Sequence, residues 1–124
     1  MDLETARAPE GMRLYAIGDV HGRLDLLERM HEAIRADIAA ARPDDWRIIH
    51  VGDYVDRGSQ SKGVIDFLIE RIAEDSRHIA LCGNHDAGMV EFLQGADGNG
   101  LFAGYGGAET ALSYGVEADF SSPE

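Results

Sequence analysis

The chain has 124 residues, 44% of them hydrophobic and 27% charged, enough for one domain with a modest core and too few for a second. Its 11 basic and 23 acidic side chains leave a formal net charge of -12, a balance that repels extended polyanions and argues against nucleic acid as a partner. No apolar run approaches a bilayer span, Met1 to Gly11 is polar rather than signal-like, and the single Cys82 excludes an intrachain disulfide, so a cytoplasmic chain with no membrane partner and no redox chemistry is expected.

Residues 1–11 read as a flexible tail. Met12 to Ile17 has the apolar character of a strand, and the helical spacing of Leu24, Leu27, Met30, Ile34 and Ile38 predicts an amphipathic helix from about Leu24 to Ala41, stopped by Pro43. Met30 is expected in the core. Trp46 to Val51 predicts a second strand, Lys62 to Asp75 a helix with Val64, Ile65, Leu68 and Ile72 on one side, and His78 to Cys82 a third strand carrying a buried thiol. His31, His50 and His78 fall inside these elements, where satisfied structural histidines are commoner than ligands. A short helix from after Asp86 to about Leu93 follows, then a glycine-rich stretch, Gly95 to Gly107. Lacking a preceding strand and a third glycine in register, it fails as a dinucleotide fingerprint and reads as a mobile loop anchored by Phe102 and Tyr105. A last helix is expected over Ala108 to Tyr114, and residues 119–124 as a flexible end.

Strands alternating with helices give βαβαβ, an α/β fold with parallel pairing, in which the loops leaving the strands' carboxyl ends open on one edge of the sheet. Three such loops carry acidic motifs: Gly18-Asp19-Val20-His21-Gly22, Gly52-Asp53-Tyr54-Val55-Asp56-Arg57-Gly58 and Gly83-Asn84-His85-Asp86. One of them alone would pass as turn chemistry. Three, with a His in two and an Arg in the third, read as a split metal site that the fold brings together.

Asp19 and Asp53 offer hard anionic oxygens and His21 an imidazole, a mixed set suited to Mn2+, iron or Zn2+ more than to Ca2+. A carboxylate, unlike an imidazole, shares its oxygens between cations, so Asp53 is a candidate bridge to a second ion approached by Asn84. Two ions about 3.5–4 Å apart would polarise a phosphoryl group and acidify a water, which is a hydrolase design. Arg57 has the fork that grips two phosphate oxygens, although an isolated Arg is more often in a surface ion pair. His85 is a candidate acid for a departing alkoxide, with Asp56 orienting it and raising its pKa, a pairing that spacing leaves open. Two other phosphate chemistries drop out. A cysteine phosphatase needs an Arg six residues after its nucleophile, where Gly88 stands, and no phosphate loop of the Gly-Lys-Ser/Thr type is present.

The run GDVHG, GDYVDRG, GNHD resembles, in motif, order and spacing, the phosphoprotein phosphatase branch of the calcineurin-like metallophosphoesterases, over roughly Met12 to Tyr114. The resemblance implies a four-layer α/β sandwich with a dinuclear centre between two sheets, of which residues 12–118 would be a partial domain, the βαβαβ half. It implies two divalent or trivalent ions in the complete enzyme, with Asp19 and His21 on one, Asp53 bridging and Asn84 on the other. It also implies His85 with Asp56 as the acid pair and Arg57 on phosphate. The substrate would be a phosphomonoester, a phosphoprotein in the serine/threonine phosphatases. Gly106-Gly107-Ala108-Glu109-Thr110 through Tyr114-Gly115 is similar to a segment of bacterial members, which implies a bacterial source.

Two departures shape the reading. Asp86 ends the third motif where many eukaryotic protein phosphatases have Glu, a form shared with symmetrical dinucleoside tetraphosphate hydrolases, while the full GDYVDRG with Asp56 is closer to the protein phosphatases. Such proteins also complete the second metal with two downstream histidines and bind phosphate with a further Arg, whereas no His follows His85 and no Arg follows Arg77. The expectation is therefore an amino-terminal half that holds one ion well. A tetraphosphate hydrolase and a non-catalytic metal-binding remnant are the alternatives, and self-association is expected through the sheet face left uncovered.

Overall fold

The computed structural model describes residues 2–95 and 106–115. Strands β1 (Met12–Ile17), β2 (Asp45–His50) and β3 (His78–Ala80) form a parallel sheet in the order β1-β2-β3. Helix α1 (Leu24–Ala41) joins the first pair and α2 (Ser61–Glu74) the second, and α3 (Asn84–Leu93) and α4 (Gly107–Ser113) follow. This is the partial α/β fold expected. The third helix starts earlier than predicted, inside the third motif, and β3 stops two residues short of Cys82. Phe102 and Tyr105 lie outside the described residues.

Sequential strand order with right-handed crossovers lays α1 and α2 side by side on one face of the sheet. Register then decides which side chains they cover. Tyr15 stands opposite Ile48, Ile17 opposite His50, and Ile48 opposite His78, so this row meets the buried face of α1, Leu27, His31 and Ile34, and Val64 and Leu68 of α2. On the other face Leu14, Val51 and Leu81 are 46%, 44% and 50% exposed, an apolar surface that no described element covers and on which the expected self-association would rest. Pro43 ends α1 by its effect on its predecessor: a residue before proline is kept out of the right-handed helical region, and Arg42 turns to φ 48, its N–H still donating to Ile38 O at 2.9 Å.

Three burial expectations are corrected. Met30 is 48% exposed, because the core line of α1 runs through Leu27, His31 and Ile34, and Met30 turns aside to line a cleft beside Asp19. Ile72, expected on the covered side of α2, is 39% exposed in the last turn of that helix, beyond its buried residues Ser61, Val64 and Leu68. Cys82 is exposed rather than buried, since the chain has already left β3.

His31, His50 and His78 are all buried between α1 and the sheet. His50 Nδ1–H donates to Ile79 O at 2.8 Å, so a neutral His50 must accept at Nε2, and His31 Nε2–H supplies that bond at 2.9 Å. His31 stacks on both other rings, with centroids 5.2 and 5.5 Å away. The satisfaction expected is incomplete, as Nδ1 of His31 and of His78 are buried without a partner among the described residues. Burial above all, then the neighbouring His50, His78, Arg35 and Arg71, pushes the His31 pKa down to about 3; burial also lowers His50 and His78.

These lowered values make stability depend on pH. In the unfolded chain the imidazoles titrate near about 6.5, so below that pH the unfolded state binds more protons than the folded one. Stability is intact above the unfolded value and is lost as the pH falls toward about 3. Urea denaturation is expected to give a midpoint that is nearly level above about pH 7 and declines from about pH 6.5 to about pH 5. His31→Leu should flatten that decline; an unaltered slope in the variant would assign the protons elsewhere.

Candidate functional site

The three motif loops meet at one edge of the sheet through backbone, before any side chain is considered. A Cβ on Gly52 would lie 2.4 Å from Gly83 N, and one on Gly83 only 2.3 Å from Asp53 Oδ1, so the second and third loops approach within a distance that only glycine allows. The first loop is tied to the second by His21 N–H to Asp53 O (2.9 Å), Gly22 N–H to Tyr54 O (2.8 Å) and Gly58 N–H to His21 O (3.0 Å). Beneath them the Tyr54 phenol donates to Leu81 O at 2.5 Å, and burial pushes its pKa up to about 12, so it remains a donor throughout the physiological range.

Asp86 closes the arrangement. Its Oδ2 accepts from Asp53 N–H (2.6 Å) and Gly83 N–H (2.9 Å), and its Oδ1 from Tyr54 N–H (2.9 Å). Asp53 answers by accepting His85 N–H at Oδ1, 2.9 Å away. The two carboxylates thus exchange backbone bonds across the loops, and the N–H of Gly83 at the start of α3 is satisfied by a side chain three residues on.

Within this frame Asp19, His21 and Asp53 each place one ligand atom within 4.8 Å of the others. His21 Nδ1–H donates to Val55 O at 2.8 Å, which leaves the Nε2 lone pair directed to the cluster, 3.7 Å from Asp19 Oδ2. Holding one imidazole nitrogen on a carbonyl so that the other points outward is how metal-ligating histidines are oriented. Two carboxylates and one such imidazole fit a divalent first-row ion. His21, Asp53, Asp56 and Arg57 all take positive φ, between 44° and 74°, an unfavourable backbone for residues with a Cβ that the surrounding bonds hold in place.

Beside the cluster, the His21 and His85 rings meet edge to face at 4.6 Å. His85 Nδ1–H donates to Asp56 Oδ2 at 2.9 Å, which joins the pair that spacing had left open. Asp56 is fully buried and its other oxygen accepts the Thr110 hydroxyl at 2.8 Å. Arg57 is exposed, makes no ion pair among the described residues, and donates its N–H to Gly106 O at 3.3 Å. Asn84 is exposed at the first residue of α3, between Gly83 and His85. Sequence reasoning overlooked Asp86, Tyr54 and Thr110 as supports. An Asp three residues past a helix N-cap, here Gly83, is a readable capping signal for Asp86, whereas the 54 positions separating Thr110 from Asp56 offer none.

Comparison with known proteins gives the family of the chain. Calcineurin-like phosphoesterase, as a family model, matches residues 12–120. The chain is 38% identical over 84 residues to a symmetrical bis(5'-nucleosyl)-tetraphosphatase of Thioalkalivibrio sulfidiphilus, covering 68% of this chain and 28% of that protein. It is 31% identical over 87 residues to serine/threonine-protein phosphatase 2 of Escherichia coli, covering 69% of this chain and 35% of the relative. A Shewanella-like protein phosphatase 2 of Arabidopsis thaliana is 33% identical over 88 residues, 64% of this chain and 22% of its own length. The chain thus spans about a third or less of each of these relatives. With three interlocked acidic loops on a parallel sheet and a family match over nearly its whole length, the chain belongs to the calcineurin-like phosphoesterases.

Proposed function

We propose that the chain carries part of the site of a metal-dependent phosphomonoester hydrolase, serine/threonine protein phosphatase-like, that works with a dinuclear metal centre. The observation that carries this reading is the approach of Asp19, His21 and Asp53 within 4.8 Å, with the Asp56–His85 pair alongside. Asp19, His21 Nε2 and Asp53 would hold the first ion, and Asp53 with Asn84 would reach the second. Bound cations of this kind polarise phosphoryl oxygens and acidify water near neutral pH.

The chain's own groups then have separable roles. With Nδ1–H committed to Asp56, His85 presents Nε2 as the atom that carries a proton to a departing alkoxide oxygen. Arg57, exposed and free of ion pairs among the described residues, takes two phosphate oxygens with its guanidinium fork. Asp53 keeps Oδ1 on His85 N–H, so one carboxylate serves both the cations and the placement of the acid. A second reading, a bis(5'-nucleosyl)-tetraphosphate hydrolase, is favoured by the Thioalkalivibrio relative and by Asp86 at the end of the third motif. Turnover of a phosphoserine peptide and of a dinucleoside tetraphosphate by the full gene product, each with Mn2+, separates the two.

Three outcomes are expected. Asp53→Asn keeps an oxygen for His85 N–H and loses only charge, so it should abolish Mn2+-dependent hydrolysis without unfolding the chain; undiminished turnover would remove the bridging role. His85→Ala should reduce kcat on phosphoserine by about 100-fold or more while an aryl phosphate with an acidic leaving group loses far less, since only a poor leaving group needs the proton. Equal losses would refute the acid assignment. Calorimetric titration of the present chain with Mn2+ should find one tightly held ion that disappears in His21→Ala, and two tight ions would point to ligands contributed by a second copy.

A further inference from the structure

Asp56 lies at the centre of a fully buried chain of hydrogen bonds that reaches away from the metal cluster. Ser61, Thr110 and Asp56 all have no solvent exposure, and they come from three separate pieces of the fold: the first residue of α2, the middle of α4 and the second motif loop. Thr110 Oγ1 accepts Asp56 N–H at 2.7 Å and lies 2.8 Å from Asp56 Oδ1 and 3.2 Å from Ser61 Oγ.

Proton counting fixes the direction of every bond. A carboxylate only accepts, so the single Thr110 hydroxyl hydrogen goes to Asp56 Oδ1. Thr110 Oγ1 is then an acceptor toward both remaining partners, and Ser61 must donate to it. Asp56 is left with Oδ1 committed to Thr110 and Oδ2 to His85 Nδ1–H. A carboxylate with one oxygen held in this way cannot rotate about its Cβ–Cγ bond without breaking a buried bond, which has no water to replace it.

We infer that Thr110 is a positioning residue for the proton-donating pair, its hydroxyl clamping Asp56 so that the second oxygen is always turned to His85. This rests on the phosphatase reading of the site. It also explains what α4 contributes, since the helix brings one hydroxyl under the second loop, and Ser113 Oγ, accepting Lys62 N–H at 3.0 Å, fastens that helix to α2. Thr110 touches no reacting atom, and its effect passes through Asp56 and His85.

The test uses the full gene product with Mn2+, comparing phosphoserine with p-nitrophenyl phosphate, and follows the exchange of the His85 imidazole Nδ1 proton by NMR. Thr110→Val, close in shape but without the hydroxyl, should lower kcat on phosphoserine by about tenfold at unchanged KM, lower it on p-nitrophenyl phosphate by less than about threefold, and speed exchange of the His85 proton. Thr110→Ser should restore all three. Should the valine variant fail to fold, Ser61→Ala, which removes only the donor behind Thr110, is expected to give the same skew between substrates at smaller size. Equal losses on the two substrates, or a His85 proton that exchanges as in the wild type, would reduce Thr110 to a packing residue and overturn the inference. A wild-type protein with no Mn2+-dependent hydrolysis would instead sink the phosphatase reading, and the exchange measurement would still decide whether Thr110 holds the pair.

Discussion

The pair of carboxylates, Asp86 bonded to the backbone of the second loop and Asp53 to that of the third, is the constraint on which the remaining geometry hangs. Asp86 takes the N–H groups of Asp53 and Tyr54, and Asp53 takes that of His85, so the second and third loops are joined by three bonds that each involve a carboxylate, while a fourth, from Gly83 N–H to Asp86, closes the third loop on itself. Bonds to a charged acceptor are stronger than neutral ones, roughly 1.5–3 kcal/mol each, and they fix direction as well as distance. Because Asp53 is also a member of the cluster with Asp19 and His21, any shift of the third loop moves a candidate metal ligand directly. The two glycines that let these loops touch are the backbone counterpart of the same requirement.

Five histidines in one short chain show how the same side chain is put to different uses. In His21, His50 and His85, Nδ1–H is committed to an oxygen acceptor, Val55 O, Ile79 O and Asp56 Oδ2 respectively. What separates them is the second nitrogen. In His50 it is consumed by His31 inside the core, whereas in His21 and His85 it meets no hydrogen-bond partner among the described residues. Burial adds to the contrast, since the core trio is held neutral by desolvation before any other influence.

Much of this was legible in the chain. The alternation of strand-like and helical spacing gave the βαβαβ order, and the parallel sheet that follows required the three motif loops to share an edge. The ligand-type residues of those loops were readable because Gly-Asp and Asn-His combinations after apolar runs have few other uses. Periodicity was least reliable where two residues competed for one stripe: Met30 and His31 both suit a helix face, apolarity favours the first, and the structure buries the second against His50. Cys82 failed for a related reason, because an apolar run continues past the last paired residue of β3. Thr110 and Asp86 were hidden for different reasons, one by sequence distance, the other because a carboxylate in a metal motif invites a metal role and acts here as a brace.

The left-handed backbone of His21, Asp53, Asp56 and Arg57 has a consequence for how this sequence can drift. Each of these residues sits where a glycine would be more comfortable, at a cost of about 1–2 kcal/mol per position for a side chain with a Cβ. At Arg57, exposed and without an ion pair among the described residues, glycine would relieve the backbone at little loss, whereas at His21, Asp53 and Asp56 the relief is outweighed by the bonds their side chains make to Val55 O, His85 N–H, and Thr110 with His85. A library sorted only for soluble expression should therefore admit glycine first at Arg57, so a better-folded descendant of this chain would be one that has given up its exposed guanidinium while keeping the three bonded side chains.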